Sequence, residues 1–167
     1  TALRTARDAA YRDPLTGVKS KLAYSEAEAQ LDAEIQAGTI GTLALALCDI
    51  NDLKATNDTQ GHAAGDELIR DACMRVCKIF THSPVYRYGG DEFVVVLRGA
   101  DYDRREQLTR TLGAQNRASL PNGTVIACGV AEFRPGEDHY VADLFKRADI
   151  AMYRDKKVLK DAREALL

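Results

Sequence analysis

The chain has 167 residues, 46% of them hydrophobic and 29% charged, with a net charge of −2. That length sustains one hydrophobic core without staples, and the near-neutral balance gives no electrostatic case for nucleic acid or an anionic membrane surface. No apolar run approaches the ~18–20 residues of a spanning helix, and no signal-peptide pattern opens the chain.

In chain order, residues 1–11 are Ala- and Arg-rich and read as the end of a helix arriving from an upstream domain, with 12–167 as the domain proper. The chain starts at Thr1 rather than Met, which suits a segment of a longer protein. Asp13-Pro14 stops the first helix. A helix over about 20–36 follows, with Tyr24, Ala27, Leu31 and Ile35 on one face. The nearly continuous apolar run 42–50 predicts a strand covered on both sides. A polar loop is expected next, then a helix from about 64 to 80 with Leu68, Ile69, Ala72, Cys73, Val76, Ile79 and Phe80 as its buried stripe.

A hairpin is expected over 84–97, a weakly striped helix over 103–119, a strand over 124–132 and a last helix over 140–157. Strands and helices mix without strict βαβ alternation, which argues for a sheet with helices on its faces. Cys48, Cys73, Cys77 and Cys128 form no CxxC pair or zinc set and read as buried reduced thiols, as in the cytoplasm.

Three segments carry the chemistry. In Tyr88-Gly89-Gly90-Asp91-Glu92-Phe93, two glycines permit positive φ and let a ligand approach the backbone, while two acids at a turn offer hard oxygen ligands. Asp49 ends the most buried strand, where a carboxylate is costly unless paired or metal-bound; a capping role is the plainer alternative. Asn57 and Asp66 flank the expected turns at Gly61-His62 and Gly65. Asn57 reads equally as an Asx-turn residue, Asp66 as an acid in the first helical turn, and His62 as loop packing.

With Asp13-Pro14-Leu15-Thr16-Gly17 upstream and Ala148-Asp149-Ile150-Ala151-Met152-Tyr153 followed by Lys156 downstream, the chain resembles the GGDEF family of diguanylate cyclases over roughly residues 12–157. The resemblance implies an α/β (α+β) palm-like fold: a mixed, mainly antiparallel sheet flanked by helices, similar to class III nucleotide cyclases. It implies condensation of two GTP into cyclic di-GMP and two pyrophosphates across two facing domains of a homodimer, assembled by an upstream region. A catalytically weak or inactive GTP-binding or protein-interaction module is the alternative.

By the same resemblance, Asp49, Asp91 and the backbone carbonyl of Ile50 hold magnesium, or manganese in its place. Asp91 or Glu92 assists deprotonation of the 3′-hydroxyl. Lys54, Lys156 and Lys160 meet phosphates, Asn57, His62 and Asp66 meet the guanosine, and Gly90 lies against the substrate. Asn51, Asp52, Ser20 and Lys21 depart from the usual pattern, as does Lys160, which keeps the charge of an arginine without its fork. The Arg-x-x-Asp inhibitory motif of many members is replaced by Phe80 and Ser83, which leaves Arg87 as one nearby cation.

Overall fold

A computed structural model describes all 167 residues. Helices α1 (Ala2–Ala10) and α2 (Lys21–Ala37) precede strand β1 (Ala44–Ile50), helices α3 (Leu53–Gln60) and α4 (His62–Ile79), and the hairpin of β2 (Val85–Arg87) and β3 (Glu92–Leu97). Helices α5 (Gly99–Asp103) and α6 (Arg105–Ser119), strand β4 (Ile126–Glu132) and helix α7 (Val141–Ala165) complete the chain.

The sheet runs β2-β3-β1-β4 and every pairing is antiparallel. All seven residues of β1 are buried because both its faces are covered. The two-residue period of a strand sends Leu45 and Leu47 into one core with α2 and α7, and Ala44, Ala46, Cys48 and Ile50 into another with α4 and α6. Ser20 caps α2 by accepting the Ala23 N–H at 3.3 Å, and Gly38, at φ 70°, ends it in the left-handed region.

Four expectations change. The polar loop after β1 contains a helix, α3, none of whose residues is buried, so no apolar stripe announced it. Helix α4 begins at His62, which puts Gly65 inside the helix rather than at a turn and Asp66 beyond the first turn. The expected 103–119 helix is α6, but a separate short helix, α5, precedes it. Asp101 is buried and accepts the Ser83 hydroxyl at 2.6 Å and the His82 N–H at 2.9 Å, which anchors α5 to the loop before β2.

Helix α7 runs to Ala165 rather than 157, held by buried Leu159 and by Arg163, which donates to the Gly123 carbonyl at 2.8 Å. It packs backbone to backbone on β4 at Gly129, where a Cβ would come within 2.2 Å of the Ala148 oxygen and the Met152 nitrogen. Asp155 adds a second fastening by accepting the N–H of Cys128 at 2.9 Å. Of the cysteines, Cys77 is half-buried and the other three are buried.

Candidate active site

The site forms where β1 ends beside the β2–β3 turn. Antiparallel register sets Asp49 opposite Glu92. The N–H of Ile50 donates to the carbonyl of Asp91 at 2.9 Å, which ties the turn acid to the end of the buried strand. Asp49 is 5% exposed, and burial followed by the charge of Asp91 pushes its carboxyl up to about 6. Lys156, arriving on α7, opposes that shift by placing Nζ 3.2 Å from Asp49 Oδ1. The Glu92 carboxyl is also raised, first by burial and then by Asp91 and Asp149, while Lys156 and Lys21 act the other way.

The two glycines do not use the freedom expected of them. Neither Gly89 nor Gly90 takes a positive φ. The turn is closed by Tyr88 and Gly89 N–H groups, both donating to the Glu92 carbonyl, at 2.9 and 3.3 Å. Gly90 is exposed, and a Cβ there would meet nothing within 4 Å, which leaves its backbone open to a ligand.

An ion pair absent from the sequence reading holds this turn. Arg87 donates to both carboxylate oxygens of Asp13, at 3.1 and 3.2 Å, and to the Gly90 carbonyl at 3.0 Å. Asp13 also accepts the backbone and hydroxyl hydrogens of Thr16, so Asp13-Pro14-Leu15-Thr16 is a buttress for the hairpin. Arg87 is therefore engaged, rather than the free cation left beside a missing inhibitory motif. Phe80 is core and Ser83 is bonded to Asp101. The signal available in sequence was an arginine two residues before the first glycine, opposite an acid in the upstream motif.

The guanosine candidates lie on α3 and α4. Asn57 packs against Gly65 so closely that a Cβ on Gly65 would fall 1.7 Å from Asn57 Oδ1. This contact, rather than a turn, explains the glycine, and it joins Asn57 to the residue preceding half-buried Asp66. Lys54, one helical turn before Asn57, is exposed, as are His62 at the start of α4 and Lys160 one turn beyond Lys156. Lys21, a departure from the family pattern, places its Nζ 4.8 Å from the centroid of Tyr88, beside the same turn.

No group of three or more His, Cys, Asp or Glu side chains is arranged to hold a metal. Magnesium does not demand one, since it commonly takes one or two carboxylates and completes its shell with water and substrate phosphate. A carboxylate whose ionisation is opposed by burial and then by a neighbouring carboxylate fits such a cation. Asp49 and Asp91 are therefore a suitable donor set, with the Ile50 carbonyl beside them.

The sequence profile described as "Diguanylate cyclase, GGDEF domain" matches residues 10–161. The chain is 32% identical over 171 residues to diguanylate cyclase DgcP of Pseudomonas aeruginosa, covering 97% of this chain and 25% of that protein. It is 33% identical over 161 residues to an uncharacterized Streptomyces griseus protein encoded in the hutH 5′ region, covering 92% of this chain and 65% of the relative. The chain thus spans only part of the length of these relatives. Among solved structures, the GGDEF domain of DgcB from Caulobacter crescentus, determined with c-di-GMP, superposes with a TM-score of 0.70 at 28% identity, over 89% of this chain and 91% of that one. The antiparallel four-stranded sheet, its flanking helices and the matched profile together place the chain in the GGDEF domain family.

Proposed function

We propose that this domain is a diguanylate cyclase, joining two GTP into cyclic di-GMP with release of two pyrophosphates. The carrying observation is the meeting of Asp49, Asp91, Glu92 and Lys156 at one end of the β1–β3 pair. Each domain of a homodimer would hold one GTP, and each 3′-hydroxyl would attack the α-phosphorus of the partner's nucleotide. Membership of the family and 32% identity to a named cyclase support this reading.

Asp49 and Asp91, with the Ile50 carbonyl, would hold magnesium or manganese, which when bound supplies neutralisation of phosphate charge. Lys156, with Lys54 and Lys160, would orient the triphosphate and meet negative charge on the departing pyrophosphate. Asn57 and Asp66, with His62 near the ribose or base, would read guanine. A carboxylate accepts from the N1–H and exocyclic amine of guanine, and adenine offers no such donor pair.

Asp91 or Glu92 would accept the proton of the 3′-hydroxyl; the Glu92 carboxyl is raised by burial and by the charges of Asp91 and Asp149, which suits a general base. The open backbone at Gly90 leaves room for the nucleotide. No helix is long and apolar enough to cross a membrane, and four unpaired thiols suit a cytoplasmic domain.

Incubating the protein with GTP and magnesium, then resolving products by chromatography, tests the proposal. Cyclic di-GMP and pyrophosphate in a 1:2 ratio are expected, with specific activity rising with protein concentration as domains pair. GTP binding without turnover at any concentration would support a non-enzymatic nucleotide-binding module instead.

A further inference from the structure

Cys48 and Cys128 stand directly opposite each other on β1 and β4. Their sulfurs are 3.8 Å apart. The N–H of Cys128 points away from β1 and donates to Asp155 at 2.9 Å. The pair therefore occupies a non-hydrogen-bonded position of the ladder, where the two Cα atoms of an antiparallel pair lie ~4.5 Å apart. That separation falls inside the range a disulfide spans, roughly 4.4–6.8 Å. Small side-chain rotations, without backbone rearrangement, would bring the two sulfurs to bonding distance.

The neighbours of this pair give it meaning. Cys48 is followed by Asp49, which bonds Lys156 at 3.2 Å; Lys156 is preceded by Asp155, which bonds Cys128. The path Cys48, Asp49, Lys156, Asp155, Cys128 is a closed ring with one side, the sulfur–sulfur contact, still uncrosslinked. We propose that Cys48 and Cys128 are an oxidative modification site, closed to a cross-strand disulfide by a small hydroperoxide, which fixes β1 to β4 beside the proposed metal carboxylate.

Cys128, 8% exposed against 1% for Cys48, is the first to react. Its sulfur attacks one peroxide oxygen, the O–O bond breaks, and a sulfenic acid forms as water, or the alcohol of an organic hydroperoxide, leaves. The Cys48 thiol then attacks that sulfur, the S–O bond breaks, a second water leaves, and the S–S bond forms. Two thiols lose two electrons in total and the peroxide gains them. Cys48 is almost fully buried, so the closing step is slow.

The test needs no nucleotide, so its outcome is separate from that of the cyclase proposal. The folded chain is exposed to hydrogen peroxide, quenched, unfolded in alkylating reagent and mapped by mass spectrometry. The expected product is a single Cys48–Cys128 cross-linked peptide, with Cys73 and Cys77 alkylated and full reversal by dithiothreitol. Amide exchange at Cys128 and Asp49 should slow at least several-fold in the oxidised protein. The Cys128→Ala variant should give no intramolecular cross-link. Oxidation that stops at a sulfenic or sulfinic acid, a dominant Cys73–Cys77 link, or four free thiols after complete oxidation of glutathione in the same tube would each overturn the proposal.

Discussion

Lys156 Nζ lies 3.2 Å from Asp49 Oδ1 although the two residues are 107 positions apart in sequence. A lysine 37% exposed thus meets a carboxylate only 7% exposed. The pair offsets part of the cost of burying Asp49 while Asp91 adds to it.

That balance predicts a site that destabilises its own fold. Folded Asp49 keeps its proton up to about pH 6, whereas the unfolded chain releases it near ~4. Between those values rising pH favours the unfolded state, so stability contributed by the neutral carboxyl falls, by about 3 kcal/mol in full. In metal-free buffer, Asp49→Asn should match the wild type in urea near pH 4 and exceed it by roughly 1–3 kcal/mol at pH 7. The same variant should lose cyclisation by orders of magnitude. Equal stability difference at both pH values would remove the ionisation argument.

Arg87→Ala should cost about 3 kcal/mol, because it strands the Asp13 carboxylate beside a hairpin no longer held at Gly90. Arg87→Lys should recover little, since one ammonium cannot contact both carboxylate oxygens and the Gly90 carbonyl together. Denaturant titration of both variants checks this; full recovery by lysine would mean that charge alone matters.

Gly65→Ala places a methyl where Asn57 Oδ1 now sits. Helix α4 should survive, since alanine suits its interior, but Asn57 must move. GTP affinity by calorimetry should fall about tenfold or more, on the scale of one lost hydrogen bond or two, with unchanged helical circular dichroism. Unchanged affinity would exclude Asn57 as a guanosine contact.

Asp138, buried and bonded to Arg147 and to the Arg134 N–H, has its carboxyl held below the ordinary range, chiefly by Arg147. A depressed carboxyl stabilises the fold above its unfolded pKa and loses that contribution as pH falls through the folded value. Asp138→Asn should therefore be less stable than wild type by about 3 kcal/mol at pH 7. The two should converge as pH falls through the folded value. A constant gap down to pH 2 would assign the loss to packing.

Much of the architecture was legible because its elements carry periodicity. Leu68 to Phe80 and Val141 to Met152 repeat at helical spacing, and 44–50 is apolar but for Asp49. Helix α3 was illegible for the opposite reason, since none of its residues is fully buried and no apolar stripe marks it, and the helix is defined by its packing on α4. The candidate acids were readable from the motifs. Their partners were not: Lys156 reaches Asp49 only through the seating of α7, and the Asp13–Arg87 pair joins residues 74 positions apart. Sequence also overread the hairpin glycines, whose φ values are ordinary.

Gly129 has no side chain to offer, and that is its contribution. A methyl group there would lift α7 from β4 and carry Lys156 with it, lengthening its contact with Asp49 on the neighbouring strand. Descendants of this chain could trade most of their core aliphatics for one another with little effect on the acids. The distance between the lysine and its carboxylate is heritable largely through one hydrogen atom.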